Sequence, residues 1–303
     1  MPLWIAATLS AALFQTWRTA LQQKLRGQLS VNAAAVTRYL YGVPVGCLLL
    51  ALYAGITGQP LPGGMSGTGF LAWAAVGGLL QILGTNLLIM SFATRGFAVG
   101  TAYAKTEAVQ GAVLALLLLG EHLSPLSWIG VGIGVSGVLY LSLAGRNLSP
   151  RGMLAATAQP AALCGLGAGF CFALCSVCIK SANLQLLGPD PVLRALVVLV
   201  VANAMQTAMQ GSWLLLREPR EARAVFTTWR VSARVGALSA CGSACWFSAF
   251  ALAPVAMVRA LGQVEILFTL AFSRFYLGER LKRAEITGAL VVVFGVLLVV
   301  LGR

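Results

Sequence analysis

Apolar residues occur along this chain in runs of about 20, the length that crosses a ~30 Å hydrocarbon core as a helix. Short polar stretches separate the runs. Read this way, the pattern predicts ten spans, at 3–22, 31–53, 70–92, 98–119, 126–144, 161–183, 191–215, 232–252, 254–276 and 284–302. The connections are short except for loops expected at 55–69, 145–160 and 217–230. Residues 94–97 join the third span to the fourth, and Ala253 and Pro254 join the eighth to the ninth. Turns this tight make each pair an antiparallel hairpin.

The pattern repeats. Leu119-Gly120-Glu121 after the fourth span returns as Leu277-Gly278-Glu279 after the ninth, 158 positions later. A glycine-containing helix follows each, with Gly130, Gly134 and Gly137 in one and Gly288 and Gly295 in the other. Arg18 parallels Lys180 and Arg38 parallels Arg194, at different offsets and so less firmly. The chain therefore divides into a first five-helix repeat (1–145), a linker (146–160) and a second five-helix repeat (161–303). A repeat with an odd number of spans is inverted in the membrane. Inverted repeats are a common build of secondary transporters, whose sites lie near the midplane at the repeat interface. The expected fold class is an all-α membrane protein, with ten transmembrane helices as two inverted repeats around a central cavity.

Composition agrees: 59% of the 303 residues are apolar and 10% are charged, against the roughly 25% charged that a soluble surface uses. The net charge of +13 is scattered at the ends of apolar runs, with no basic domain or arm, which argues against nucleic acid. No cleavable signal peptide is expected; residues 3–21 read as the first span. The seven cysteines all lie in apolar segments, and Cys175-Ser-Val-Cys178 lacks the polar surroundings of a redox or zinc motif. No metal and no cofactor is expected. No GxxxxGK[ST] loop is present, so ATP hydrolysis by this chain is not expected. Connections after odd-numbered spans carry Lys24, Arg26, Arg95, Arg146, Arg151, Arg217, Arg220, Arg223, Arg230, Arg280, Lys282 and Arg283, whereas those after even-numbered spans carry essentially none. The positive-inside rule then puts both termini outside the cytoplasm.

Two carboxylates stand out. Glu107 and Glu265 lie at equivalent places in the two repeats, about 13 Å and about 16 Å along their expected helices at 1.5 Å per residue. An ionisable group near the bilayer centre costs roughly 3 kcal/mol or more and usually marks function. On the face of Glu107 lie Tyr103, Gln110, Gly111 and Leu114; on that of Glu265 lie Leu261, Phe268 and Phe272. Each Glu could simply pair with a base and tie helices together, with Lys105, Arg259, Arg38, Arg194, Arg18 and Lys180 as candidates. Otherwise each carries a proton or binds a substrate amine. The more polar setting favours Glu107 as substrate contact and the apolar one favours Glu265 as proton-binding group. Lys105 is a candidate for a substrate carboxylate, and Arg259 is expected to snorkel toward the near interface. Arg18, Arg38, Lys180 and Arg194 are expected to anchor helix ends. Gln15, Gln81, Asn86, Asn203, Gln206 and Gln263 are amides within spans, most of which should face the interior, and Trp17 and Trp246 are candidates to line the cavity. Glu121 and Glu279 are expected to cap the helices that follow them, with His122 exposed. The glycine ridges suit close packing, inside the bundle or in a dimer.

This arrangement of spans, Leu-Gly-Glu turns and following glycine-containing helices resembles the EamA-type transporters of the drug/metabolite transporter superfamily. The first helix, with Trp17-Arg18, and Arg38 early in the second add to the likeness. The resemblance implies a basket of helices around a central cavity and transport of small metabolites, often export of amino acids. Members more commonly keep both termini in the cytoplasm, which the charges here contradict.

The expected function is a secondary transporter, an exporter of a small metabolite such as an amino acid or amphipathic compound, working by alternating access with proton coupling as one option. The alternative is a membrane-embedded enzyme acting on a lipid. The expected partners are the small-molecule substrate and the lipid bilayer of the plasma membrane (the inner membrane in a bacterium). A monomer holds both halves of a transport path, and a homodimer is the other option. A C-terminal reporter active only in the cytoplasm should be silent; a bright reporter would overturn the termini-outside orientation.

Overall fold

The computed structural model describes residues 2–25, 28–93, 103–143, 160–276 and 283–302. Its helices are α1 (Leu3–Leu25), α2 (Val31–Leu40), α3 (Gly42–Thr57), α4 (Thr68–Ala93), α5 (Glu107–Leu119), α6 (Pro125–Leu143) and α7 (Pro160–Gln185), then α8 (Pro191–Arg217), α9 (Pro219–Thr227), α10 (Trp229–Leu252), α11 (Val255–Gly262), α12 (Glu265–Tyr276) and α13 (Arg283–Leu301). Among the described residues no strand forms; Gly63 and Leu187 make one isolated antiparallel bridge. Val31–Thr57, Thr68–Ser91, Pro160–Gln185, Pro191–Arg217 and Trp229–Leu252 are long and apolar enough to cross a membrane, and Glu107–Leu119, Pro125–Tyr140 and Ile286–Leu301 are shorter apolar helices. The chain is a multi-pass membrane protein. The connection at 94–97, most of that at 145–160, and the second Leu-Gly-Glu turn with Glu279 lie outside the described residues.

The structure departs from the expectation in three respects. The helix expected over 31–53 bends at Tyr41, whose hydroxyl donates to Val225 O at 3.2 Å. The loop expected over 217–230 contains the helix α9, with Pro219 in its first turn. Its charged residues hide it from a search for apolar runs, but Ala222 and Val225 bury against Leu29, Ala33, Ala34, Val36, Leu214 and Val235. The spans expected over 98–119 and 254–276 are the third and most consequential departure, described below.

The chain forms two compact units, Met1–Ile82 with Cys175–Ala253, and Leu83–Leu174 with Pro254–Arg303. Each therefore takes segments from both halves of the sequence. In the first unit α1 packs on α10, and α8 packs on α2, α3 and α10. Asp190 caps α8, accepting from Val192 N at 2.8 Å and Leu193 N at 3.2 Å, while Tyr53 Oη donates to the same carboxylate at 2.9 Å.

In the second unit α6 packs along α13 and α5 along α11. The glycine ridge lies inside this unit. A Cβ at Gly130 would sit 2.6 Å from Gly295 O, and Gly295 itself rests against Gly134 N. Only hydrogen fits there, so backbones meet without side chains between them. Ser124 caps the helix that follows Glu121, accepting from Ser127 N at 3.2 Å, and the Glu121 carboxylate accepts from Val255 N, the first residue of α11, at 2.7 Å. A carboxylate satisfies an orphan amide at any helix start within reach, not only the nearest in sequence. His122 is exposed as expected.

Gly130→Ala should destabilise the protein by about 1–3 kcal/mol through overpacking. Gly132→Ala, where a Cβ meets nothing within 4 Å, should change stability by less than about 0.5 kcal/mol. Thermal unfolding in detergent distinguishes the two, and equal effects would refute the close approach.

Candidate functional site

Glu107 and Glu265 are not in mid-helix. Each is the first residue of a helical segment that follows a two-residue turn. The turns fall at Lys105–Thr106 and at Gln263–Val264, equivalent positions in the two halves. At the first, Thr106 N bonds Tyr103 O at 3.2 Å, Thr106 Oγ1 bonds the same carbonyl at 2.6 Å, and Gln110 Nε2 donates to Thr106 Oγ1 at 2.9 Å. The threonine side chain thus competes with the regular ladder. At the second, Val264 N bonds Leu261 O at 3.1 Å and Leu267 N bonds Val264 O at 2.8 Å, three residues apart rather than four. Such tight turns inside a helix often mark functional hinges. Neither contains proline, so nothing in the apolar pattern announces them. Both carboxylates consequently sit at the start of a helical segment, beside its first backbone amides.

The pairing is reciprocal. Lys105 Nζ lies 2.5 Å from Glu265 Oε2, and Arg259 Nη1 lies 3.4 Å from Glu107 Oε1. Each half of the sequence contributes one cation and one anion, and each cation reaches the carboxylate of the other half. The four side chains are only 11% to 15% exposed. At that burial a pair is strongly coupled, and removing one partner leaves an uncompensated charge. Arg259 is turned inward rather than snorkelling: its Nη2 also donates to Phe172 O at 2.9 Å.

Two glycines seat the turns, and sequence reasoning singled out only one of them, for another role. A Cβ at Gly169 would lie 2.9 Å from Ala104 O and 3.3 Å from Glu107 N. A Cβ at Gly134 would lie 2.8 Å from Gln263 Oε1. Gln263 is 3% exposed, and neither its amide oxygen nor its amide nitrogen has a hydrogen-bond partner among the described residues. Gln110 Oε1 is likewise buried without a partner. Tyr103 is buried with Ala162 and Leu166, and Asn86 lies half-buried in α4. These candidates all belong to the second unit.

Gln15, Trp17, Gln81, Gln206 and Trp246 belong to the first. There Gln206 Nε2 donates to Gln81 Oε1 at 2.7 Å and to Gly78 O at 3.1 Å, an interhelical tie. Trp246 Nε1 donates to Gln15 Oε1 at 3.1 Å and its ring stacks on Phe250 at 5.8 Å between centroids. Trp17 is 53% exposed. Two of the expected helix-end anchors are otherwise employed. Arg38 is buried, with its guanidinium carbon 5.5 Å from the centre of the Tyr39 ring, and Lys180 Nζ donates to Ala253 O at the end of α10 at 2.9 Å. Cys175 and Cys178 are buried in α7, and among the described residues no three His, Cys, Asp or Glu side chains cluster as metal ligands would.

Residues 159–301 match the EamA-like transporter family. The fold is similar to a protein solved by crystallography, at 16% identity and a TM-score of 0.71, over 98% of this chain and 97% of that one. The fold is therefore shared over nearly the full length.

Removing one partner of a buried pair should cost about 3–5 kcal/mol. Lys105→Gln and Glu265→Gln should each lower the unfolding temperature in detergent, and the double variant should recover part of the loss. A double variant as unstable as the sum of the singles would mean that the two side chains are not coupled.

Proposed function

We propose that this chain is a secondary carrier, an exporter of a small metabolite such as an amino acid or amphipathic compound, working by alternating access between two inverted repeats. In this reading ten spans, 1–145 and 161–303 joined by a linker at 146–160, surround a central cavity in the plasma membrane, with both termini outside the cytoplasm and a monomer as the working unit. The family match beginning at residue 159 supports that division. The observation that carries the function is the reciprocal charge pairing at two equivalent helix breaks. Broken helices with exposed dipole ends are how carriers build sites within the membrane. A lipid-modifying enzyme, the other reading of the sequence, gains nothing from a transporter-family match.

Within this reading the geometry supports the following roles. The Arg259 to Glu107 separation of 3.4 Å is the looser pair, so Glu107 exchanges its partner for a substrate amine and Arg259 is released toward a substrate carboxylate. Glu265 is held at 2.5 Å by Lys105; protonating Glu265 discharges that pair and frees Lys105, which couples proton uptake to movement. Gln263 and Gln110 present buried amide atoms without partners among the described residues. A chain retains such unsatisfied groups where a ligand or another state satisfies them. Tyr103 and Asn86 complete this set. Gln15, Trp17, Gln81, Gln206 and Trp246 are candidates on the first unit, with Gln206 and Trp246 held by the bonds described above.

Purified protein in liposomes, assayed with a metabolite panel with and without a pH gradient, tests the reading. Flux should be measurable, and Glu107→Gln and Glu265→Gln should each lower it about tenfold or more, as loss of a charged contact does. A protein that moves nothing, or two variants with full flux, would overturn it. The two variants should also differ in the pH dependence of transport; identical profiles would remove the distinction between their roles.

A further inference from the structure

The helix α9 and its flanks carry an unusual distribution of charge. Arg217, Arg220, Arg223, Arg230 and Arg234 are all exposed. The two carboxylates of the same stretch are not turned outward with them. Glu218 accepts from Ser30 Oγ at 2.6 Å and from Asn32 Nδ2 at 3.0 Å, and Glu221 accepts from Ser30 N at 2.7 Å. Both carboxylates are thereby spent on the start of α2. Among the described residues none of the five arginines makes an ion pair. The fold has sorted the charges, taking the negative ones in and leaving the positive ones out.

Apolar side chains accompany the arginines. Phe226 is 61% exposed and Trp229 is 56% exposed, with Arg230 lying 5.7 Å from the centre of the Trp229 ring. Ala222 and Val225 fix the opposite face of α9 in the core, so this outward face is set by packing. The helix lies between Arg217, where one membrane-length helix ends, and Trp229, where the next begins. By helix length and composition, that is where the chain would leave and re-enter an apolar layer. Aromatic rings beside guanidinium groups suit this level: the rings enter the boundary of the acyl chains and the cations reach phosphate. A basic loop that served only to orient the chain would need charge alone. It would need neither sequestered carboxylates nor exposed rings.

We propose that the outward face of α9 and its flanks, with Arg217, Arg220, Arg223, Arg230, Arg234 and Trp229, is a binding surface for the headgroups of anionic phospholipids. Guanidinium groups pair with phosphate oxygens in a forked geometry, and a surface with five unpaired cations draws anionic lipid out of a mixed bilayer. The surface is independent of the transport reading, and its test does not measure flux.

The full-length protein in neutral detergent is titrated with phosphatidylglycerol or phosphatidylcholine, and bound lipid is counted by native mass spectrometry. Phosphatidylglycerol should be retained in preference to phosphatidylcholine, and its occupancy should fall as salt is raised. The variant R220Q/R223Q/R230Q/R234Q should lower that occupancy by about tenfold or more, and replacing the same arginines with lysine should preserve most of it. Soluble glycerol phosphate and inorganic phosphate should not displace the lipid, because they lack the acyl chains that the rings engage. Equal retention of the two lipids, salt-insensitive binding, unchanged occupancy in the glutamine variant, or displacement by inorganic phosphate would each overturn the proposal. Should the glutamine variant not fold, the salt and lipid-selectivity arms on the unmodified protein decide it alone.

Discussion

Charge that leaves water must be neutralised where it goes, and this requirement organises the second unit. An isolated ion in a low-dielectric interior is penalised by several kcal/mol even after relaxation. Lys105, Glu107, Arg259 and Glu265 meet the requirement jointly: two cations, two anions, no net charge. Because each cation reaches across to the other half's carboxylate, the segments 103–119 and 255–276 cannot move apart while both pairs persist. Any rearrangement of these helices has to break the pairs together or provide replacements. For a carrier this is a useful constraint, since a substrate bearing opposite charges, or a proton, is a replacement of the required kind.

Backbone geometry supplies the second half of the arrangement. An unbroken helix would point Lys105 and Glu107 to different faces and leave both carboxylates far from any helix end. The two-residue turns change this. They place Glu107 and Glu265 at the starts of helical segments, beside the first backbone amides. The turns need room, and Gly169 and Gly134 provide it by presenting bare backbone to Ala104 O and to Gln263. The glycine at 134 thus serves twice, since Gly295 packs against it from α13.

Much of the architecture was legible in the apolar pattern because lipid imposes a simple rule on length and polarity. Helices form over nearly all the expected spans within the described residues, and the equivalence of Glu107 and Glu265 was visible from spacing alone. The breaks were not visible. They depend on a threonine hydroxyl finding Tyr103 O and on carbonyls shared three residues apart, neither of which alters an apolar run. Partner choice was equally hidden. Six bases were available to the two carboxylates, and which two lie within reach is a property of packing. The same holds for Glu121, whose amide partner at Val255 is distant in sequence. The helix α9 was missed for the opposite reason: its signal is amphipathic, and the search was for continuous apolarity.

The net charge of +13 takes on a different meaning once the charges are located. The interior pairs contribute nothing to it, because two positive charges there cancel two negative ones. Five of the excess positive charges lie around α9. Within the stretch around α9 the imbalance is sharpened further, since Glu218 and Glu221 are held by Ser30 and Asn32 and the five arginines are left exposed. A polyanion-binding protein would gather its cations into one accessible groove. Here Lys105, Glu107, Arg259 and Glu265 neutralise one another where helices are desolvated, while the arginines around α9 stand where headgroups and water can solvate them. Both outcomes follow from the cost of desolvation, which is high along the spans and low at their ends, so a strongly basic composition is compatible with a buried group of four charges that carries no net charge.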